Sequence, residues 1–344
     1  MNQTLRFPAE WEAQSGVLIA WPTADTDWAD RLGQVEETYI ALAAAITRFQ
    51  PVLICVADDD VETYAEMRLR SNRIDMERVR FTTAAYDDTW LRDSGPITLR
   101  RADGSFQLLD FRFTGWGGKF DATLDDQLVG ALHQAGVFND AAVRSIPFAL
   151  EGGGIETDGE GTLLTTWKCL HERHPDRDRD SLTADLADWL QQDRVLWLDH
   201  GYLEGDDTDA HIDTLARFAS ADSIVYQACD DESDSHYAEL QAMGNELAAL
   251  RTKDGQPYRL FPLPWAQPVI DEGRRLAASY ANYLIVNGAV LMPAYGDPAD
   301  DLARDVLAQA HPGREIVQVP CRSLIWQNGS LHCITMQLPA GLLG

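Results

Sequence analysis

The 344-residue sequence predicts a mixed α/β fold built from repeated strand–helix–strand modules. Three observations support this prediction. Short apolar segments bounded by Gly, Pro or Asn alternate with longer segments whose apolar residues recur at helical spacing. Polar segments marked by glycine recur between them at a roughly constant interval. No low-complexity linker divides the chain, so we expect residues 1–344 to form a single domain.

The predicted strands and helices alternate along the chain. Residues 16–22 (GVLIAWP) predict a buried strand ended by proline, residues 31–49 a helix, and residues 52–56 a second buried strand. Further helices are predicted at residues 123–135, 181–192, 235–250 and 298–310. Further strands are predicted at residues 97–99, 161–166, 223–228, 283–286, 289–292 and 334–338. Together these segments give five principal helices among short strands.

Four polar segments carry side chains suited to catalysis. Their anchors, Asp93, Glu151, His211 and Cys333, are separated by 58, 60 and 122 residues, so the last interval is roughly twice the others. This spacing predicts a repeated module of about 60 residues, with one module, near residues 280–283, that lacks a polar anchor. Modules arranged around an axis would bring equivalent strand ends together at one central site.

Composition narrows the range of partners. The net charge of −27 argues against nucleic acids and anionic membranes as partners and weakly favours a cationic substrate. No apolar segment is long enough to span a membrane, and residues 1–15 lack the apolar core of a signal peptide. The five cysteines form no Cys-x-x-Cys pair, which argues against a zinc ribbon. We therefore expect the protein to act in the reducing cytoplasm.

Cys333 lies in the segment NGSLHCITMQ (residues 328–337), where a polar turn precedes a short apolar run. A single cysteine at such a position is by default a buried structural thiol. The alternative, a nucleophile presented at the start of a strand, requires a base and carboxylates elsewhere in the chain.

The segment DAHID (residues 209–213) allows two interpretations. It resembles a motif of manganese ureohydrolases, but their Gly-Gly-Asp-His segment is missing and their second aspartate cluster is reduced to GDP at residues 296–298. We therefore predict no metal and no cofactor. In the second interpretation His211 is a general acid/base. Asp213 then contributes a carboxylate on the same face of an extended segment.

Considered together, the anchors suit the hydrolysis of a guanidinium group. Two carboxylates, Asp93 and Asp213, could hold the planar cation through paired hydrogen bonds. A thiolate, from Cys333, suits attack on an unactivated amidine carbon. His211 could protonate the departing ammonia and then activate water, and Glu151 could orient the imidazole.

Six motifs in the same order resemble those of the agmatine deiminase family, which includes the Porphyromonas-type peptidylarginine deiminases. They are WLRDSGP (90–96), FTGWGGK (113–119), EGGGIE (151–156), HID (211–213), PAYGDP (293–298) and LHCIT (331–335). The resemblance implies the pentein fold, a five-bladed α/β propeller of ββαβ-type modules with pseudo-fivefold symmetry. It also implies a set of roles: Cys333 as nucleophile, His211 as acid/base, Asp93 and Asp213 as guanidinium clamps, Glu151 as partner of His211, and Trp90 and Trp116 as lining of the substrate channel.

The sequence departs from the family pattern at three places. Gly-Gly-Gly-Asn-Ile usually precedes the His-Cys pair, a charged segment at residues 171–180 replaces an Asn/Pro-rich one, and Ala210 replaces glycine. Agmatine remains the expected substrate, with peptidylarginine or free or methylated arginine as alternatives. A metal ureohydrolase and a non-catalytic pentein are the alternatives from other classes. The expected partner is a small cationic guanidine, without nucleic acid or membrane, and a homodimer is compatible with the sequence.

Overall fold

The computed structural model describes residues 5–344, and its mixed α/β composition confirms the predicted class. The strands are β1 (Leu5–Arg6), β2 (Gln14–Ala20), β3 (Val52–Val56), β4 (Val79–Thr83), β5 (Ile97–Arg101), β6 (Phe106–Arg112), β7 (Ala142–Ala149), β8 (Ile155–Thr157), β9 (Thr162–Thr166), β10 (Arg194–Leu198), β11 (Ala216–Ser220), β12 (Ser223–Gln227), β13 (Arg259–Leu263), β14 (Ile270–Asp271), β15 (Arg274–Arg275), β16 (Leu284–Val286), β17 (Ala289–Ala294), β18 (Glu315–Pro320) and β19 (Met336–Pro339). The α-helices are α1 (Leu32–Thr47), α2 (Asp59–Ser71), α3 (Leu91–Ser94), α4 (Gly115–Gly118), α5 (Leu128–Gln134), α6 (Trp167–Arg173), α7 (Arg179–Leu190), α8 (Tyr237–Ala249) and α9 (Ala299–Ala310).

Five open sheets of three or four strands share one pairing pattern. In each sheet an antiparallel pair is followed by a parallel neighbour, in the orders β5-β6-β7, β8-β9-β10, β11-β12-β13, β16-β17-β18 and β19-β2-β3. Each parallel pair needs a crossover connection, and every crossover contains at least one helix. The chain therefore contains five ββαβ modules, and the C-terminal strand β19 completes the sheet of β2 and β3.

The central strands are apolar on both faces. β3 is buried at every residue, and β2 and β17 are buried at all but one. Strands covered on both faces are typically continuous apolar runs rather than alternating ones, which explains why the sequence predicted them correctly. No helix within residues 5–344 combines the length and the apolar character that crossing a membrane requires.

The helix prediction was incomplete. The five predicted helices correspond to α1, α5, α7, α8 and α9, with ends shifted by a few residues. The prediction missed the 13-residue helix α2, in which only Ala65 and Leu69 are buried, so no apolar stripe marks it. It also missed α6, which later proves to carry part of the site.

The strand prediction failed mainly at sheet edges. The prediction missed the central strand β6 and the short edge strands β8 and β11. The outer strands β4, β7, β10, β13 and β18 were all missed as well. Most of their residues are half-buried or exposed, so neither an apolar run nor a regular alternation marks them.

A polar turn precedes the first strand of every module. Asp93 lies in α3 before β5, Glu151 adjoins the 3₁₀ turn Gly152–Gly154 before β8, and Asp213 lies in the 3₁₀ turn Ile212–Thr214 before β11. Asn282 precedes β16, and Cys333 lies in the turn before β19. Five equivalent positions therefore carry polar or reactive side chains.

These positions correct three predictions. The module near residues 280–283 does have a polar anchor, Asn282. Cys333 does not open a strand, because β19 begins three residues later at Met336. His211 and Asp213 do not lie on an extended segment, because residues 212–214 form a 3₁₀ turn.

Candidate active site

Cys333 is buried in a turn that Asn282 fixes. The Oδ1 atom of Asn282 accepts the backbone N–H of His332 at 2.9 Å and that of Cys333 at 3.3 Å. The Cys333 sulfur lies 3.4 Å from this Oδ1 and 3.8 Å from Oδ2 of Asp213. Burial, together with the charges of Asp213 and Asp93, raises the pKa of the Cys333 thiol well above its ordinary value. A cation bound beside the sulfur would oppose this effect and favour the thiolate.

His332 lies between two buried carboxylates. Its Nδ1 is 2.7 Å from Asp213 Oδ2, and its Nε2 is 2.8 Å from Glu10 Oε2. Burial raises the pKa of Asp213, but the hydrogen bond and charge of His332 outweigh burial, so the net pKa is lowered. Asp213 is thus held as a carboxylate through Oδ2. Its buried Oδ1 has no hydrogen-bond partner among residues 5–344.

His211 is fully buried between two other carboxylates. Its Nδ1 lies 3.6 Å from Asp93 Oδ1, and its Nε2 lies 3.4 Å from Glu151 Oε2. Burial lowers the pKa of this imidazole, but Asp93, Cys169 and Glu151 outweigh it and hold the pKa well above its ordinary value. These surroundings therefore favour the imidazolium form, which can donate a proton. Nδ1 lacks a hydrogen-bond partner in the described part of the chain.

Arg173 holds Glu151 in place through Oε1, the carboxylate oxygen that does not contact His211. Its Nε donates to Glu151 Oε1 at 2.7 Å, and its Nη1 donates to Asp209 Oδ2 at 2.7 Å. Burial alone would raise the pKa of Glu151. His211 and Arg173 lower this pKa by a larger amount, so the net pKa lies below its ordinary value and Glu151 is ionised. The charged segment at residues 171–180, which sequence analysis left without a role, thus supplies a buried cation to the site.

Asp93 has both oxygens engaged. Gly153 N–H donates to Oδ1 and the indole Nε1–H of Trp116 donates to Oδ2, each at 2.9 Å. The pKa of Asp93 is raised to about 6. Burial and the neighbouring carboxylates raise this pKa, and His211 opposes them. Each oxygen keeps a second lone pair for a further donor.

The glycine run after Glu151 allows this close approach. A Cβ atom at Gly153 would lie 2.6 Å from His211 Nδ1 and 2.8 Å from Asp93 Oδ1. A Cβ at Gly152 would lie 2.2 Å from the carbonyl oxygen of Arg92. A side chain at Gly153 would displace the imidazole and the carboxylate, and one at Gly152 would displace the Arg92 backbone, so space requires glycine at both positions.

A cavity of about 400 Å³ leads to Cys333. Trp90, Trp116, Phe120 and Trp326 form aromatic walls. Besides Asp93, the cavity is lined by six aspartates: Asp27, Asp87, Asp88, Asp121, Asp125 and Asp207. No lysine, arginine or histidine is among the described residues that line it. The cavity therefore suits a cation with an apolar stem.

The two aspartates of the DAHID segment are engaged by other side chains. Asp209 Oδ2 accepts hydrogen bonds from Lys119 and Arg173, each at 2.7 Å, and Asp213 Oδ2 is engaged by His332. Side-chain partners within the protein thus already engage both carboxylates. Another group within residues 5–344 has the spacing of metal ligands. It consists of Glu151, Cys169 and His211.

The structure brings the five predicted catalytic residues into one buried cluster, and it places Trp90 and Trp116 at the cavity wall. Sequence reasoning missed four residues that hold this cluster together: Glu10, Arg173, Asn282 and His332. His332 and Asn282 could have been suspected, the first from its place beside Cys333 and the second as a single amide in an apolar run. Nothing in the sequence links Glu10 to a residue more than 300 positions away.

The fold matches structures of the pentein superfamily, and a buried thiol, an imidazole and carboxylates lie together in it. The chain belongs to the Porphyromonas-type peptidyl-arginine deiminase family, whose sequence model matches residues 6–339.

Related proteins match over nearly the whole chain. A structure from Porphyromonas gingivalis, provisionally assigned as an arginine deiminase, is 43% identical and superimposes with a TM-score of 0.90 over 99% of this chain and 100% of that one. A substrate-bound Cys→Ser variant of C. jejuni agmatine deiminase is 33% identical, with a TM-score of 0.90 over 98% of this chain and 97% of that one. The agmatine deiminase of Stutzerimonas stutzeri is 34% identical, covering 97% of this chain and 95% of that protein.

Proposed function

We propose that this protein is an agmatine deiminase, a hydrolase that converts agmatine and water to N-carbamoylputrescine and ammonia. One observation carries the proposal: Asp213 has a buried Oδ1 without a hydrogen-bond partner among residues 5–344, and its Oδ2 lies 3.8 Å from the Cys333 sulfur. Such an oxygen needs a donor, and a guanidinium offers planar N–H donors together with the charge that favours the thiolate. The relatives named agmatine deiminase support the same reaction.

In the first step the Cys333 sulfur forms a bond to the guanidinium carbon, and one C–N bond breaks. The departing nitrogen takes the thiol proton and the proton of the His211 imidazolium, and it leaves as ammonium. The enzyme then holds an S-alkylthiouronium cation and a neutral imidazole.

In the second step water attacks the thiouronium carbon, and the C–S bond breaks. One proton of the water goes to His211 and the other to the Cys333 thiolate, so both groups return to their starting states. The oxygen of the water becomes the ureido oxygen of the product.

The carboxylates keep the cation in line through both steps. Asp213 Oδ1 and the free lone pairs of Asp93 receive the guanidinium N–H groups, and their charge stabilises the cationic carbon. Glu151, held by Arg173, favours the protonated form of His211. These roles of Cys333, His211, Asp93, Asp213 and Glu151 are those expected from the sequence, and no metal or cofactor enters the scheme.

The lining of the cavity favours agmatine over free arginine. The distal ammonium of agmatine would lie among carboxylates, and its methylene stem would pack against Trp90 and Trp116. The α-carboxylate of arginine would meet the same carboxylates, with no cation among the described lining residues to receive it. Arginine within a peptide lacks that free carboxylate, and the family match makes peptidylarginine the second candidate substrate.

We also infer that the five ββαβ modules are arranged around a pseudo-fivefold axis as a five-bladed propeller. Their common pairing order and the site residue before each first strand support this arrangement. Because β19 pairs with β2, we propose one catalytic domain over residues 1–344. A cytoplasmic location and a homodimeric assembly are further proposals, which fractionation and light scattering would test.

The most informative assay compares ammonia release from agmatine, arginine, methylated arginine and an arginyl peptide, with urea measured in parallel. We expect ammonia from agmatine, no urea, and full activity in the presence of a chelator. Urea release that a chelator abolishes would instead support the ureohydrolase alternative. Failure of all four substrates would overturn the proposed function in favour of a non-catalytic pentein.

A further inference from the structure

A second thiol lies beside the imidazole of His211, on the side away from Asp93. Cys169, in α6, is 1% exposed, and its sulfur lies 3.8 Å from Glu151 Oε2. Glu151 Oε2 is in turn 3.4 Å from His211 Nε2. One donor atom from each of the three residues lies within 4.8 Å of the other two.

We propose that Glu151, Cys169 and His211 form a three-ligand site for Zn²⁺. Bond lengths of about 2.3 Å to sulfur and about 2.0–2.2 Å to nitrogen and oxygen place tetrahedral ligand atoms roughly 3.3–3.6 Å apart. The observed separations of 3.4 and 3.8 Å are close to these values. A thiolate with an imidazole selects zinc over magnesium, calcium or manganese, which prefer oxygen ligands.

Charged neighbours surround two of the three ligands. The carboxylate of Asp93 lies 3.6 Å from His211 Nδ1, within ion-pair range but without a hydrogen bond. Arg173 engages Glu151 through Oε1, so the side-chain contacts of Oε2 are with the two other members of the group, Cys169 and His211. A thiolate and a carboxylate would neutralise the charge of Zn²⁺, and Asp209 offsets that of Arg173.

Glycine at position 154 leaves space at the site. A Cβ atom there would lie 3.4 Å from the Cys169 sulfur and 3.9 Å from His211 Nε2. Gly154 therefore keeps the face between two of the three donors free of side-chain atoms.

Zinc at this site would inhibit hydrolysis, a consequence that rests on the proposed function. The ion would take Nε2 of His211 and Oε2 of Glu151, so the imidazole could no longer shuttle protons. Cys333 and the cavity would stay free, so agmatine would still bind. The expected inhibition is therefore noncompetitive with agmatine and reversed by a chelator, whereas zinc on Cys333 would compete with the substrate.

Co²⁺ binding tests the site without reference to activity, because thiolate ligation of Co²⁺ gives an intense near-ultraviolet charge-transfer absorption. The test uses the full chain with Cys333→Ala, which removes the nucleophilic thiol. We expect this variant to bind Co²⁺ with the thiolate band and to lose the band on addition of Zn²⁺. The band should disappear in Cys333→Ala/Cys169→Ser and persist in Cys333→Ala/Cys229→Ser, a matched control with another buried thiol.

Two results would overturn the proposal: a band that survives Cys169→Ser, or absence of thiolate-bound metal in Cys333→Ala. X-ray absorption of zinc-loaded Cys333→Ala decides the question even if the Cys169→Ser protein fails to fold. One sulfur at about 2.3 Å together with lighter ligands is the expected coordination. A shell of lighter atoms alone would contradict the site.

Discussion

Asn282 Oδ1 lies 3.4 Å from the sulfur of Cys333 and accepts the backbone N–H groups of both His332 and Cys333. One amide side chain thus sets the conformation of the turn that presents the nucleophile. Asn282 is itself anchored, since its Nδ2 donates to the carbonyl oxygen of Asp213 at 3.4 Å.

Replacing this amide should impair the reaction and the fold together. Asn282→Ala leaves the buried N–H of Cys333 without an acceptor, at about 1–3 kcal/mol, and leaves that of His332 only the backbone carbonyl of residue 282 at 3.2 Å. The substitution thereby frees the turn that carries Cys333. We expect kcat to fall by about 100-fold, measured by ammonia release, and the melting temperature to fall.

Asn287→Ala is the matched control, because Asn287 also bridges backbone groups but at Gln14, away from the cavity. It should lower the melting temperature and leave kcat close to that of the wild type. Equal losses of kcat in the two variants would mean that Asn282 acts only through global stability.

The glycine run gives a steric prediction. Gly153→Ala places a methyl group 2.6 Å from His211 Nδ1, so the imidazole or the backbone must move. We expect kcat/KM to fall by about 100-fold or more, because a displacement near 1 Å of a catalytic group has effects of this size. Gly130→Ala, in α5 where a Cβ meets no atom within 4 Å, should retain activity and gain up to about 1 kcal/mol in stability. If Gly153→Ala kept the kcat/KM of the wild type, the close packing of Gly153 against His211 would be refuted.

Arg173 should be essential although it does not line the cavity around Cys333. Arg173→Ala leaves the buried carboxylate of Glu151 and the partly buried one of Asp209 without this partner, which should cost about 3–5 kcal/mol. With Glu151 free to move, kcat should fall as well. Urea unfolding and ammonia assays measure the two effects.

Arg177→Ala serves as the control, since Arg177 pairs with Asp185 at a half-exposed site in the same charged segment. It should change stability by about 1 kcal/mol or less. A comparable loss in both variants would show that the segment has no specific link to Glu151.

Asp125 should make stability depend on pH. Burial raises its pKa from 3.8 to about 7, so the folded state disfavours the ionised form. Because the folded-state pKa is raised, the contribution of Asp125 to the free energy of unfolding is fully present below about pH 4. It is lost as the pH rises through about 7. Asp125→Asn keeps the acceptor for Asp87 N–H but cannot ionise.

Thermal melts at several pH values test this linkage. Asp125→Asn should be more stable than the wild type by on the order of 3 kcal/mol above about pH 7, and about equal to it near pH 4. Asp188→Asn, at an exposed position in α7, serves as the surface control for the substitution itself. A constant difference at all pH values would point to altered packing instead.

The sequence predicted the chemistry of the site better than the residues that support it. Cys333, His211, Asp93 and Asp213 could be found because guanidine hydrolysis requires those groups and their spacing follows the module. Asn282 escaped because it lies in an apolar run and is neutral, so neither charge nor reactivity marks it. Glu10 and Arg173 act only through contacts with His332 and Glu151, and such contacts exist only once the modules have assembled.

Buried strands such as β3 and β17 were predictable from the sequence, and outer strands such as β13 and β18 were not. β3 and β17 give continuous apolar runs, whereas β13 and β18 contain prolines and charges because only part of each strand is covered. The spacing near 60 residues was nevertheless sufficient to indicate the repeated modules, because each module places one polar turn before its first strand.

Mass spectrometry of enzyme quenched in acid during agmatine turnover tests the central claim most directly. The account predicts an adduct on the peptide that contains Cys333, with the mass of agmatine less ammonia, and its absence from Cys333→Ser, which should release no ammonia. Ammonia release by Cys333→Ser at the wild-type rate, with no adduct on the wild-type peptide, would contradict the account.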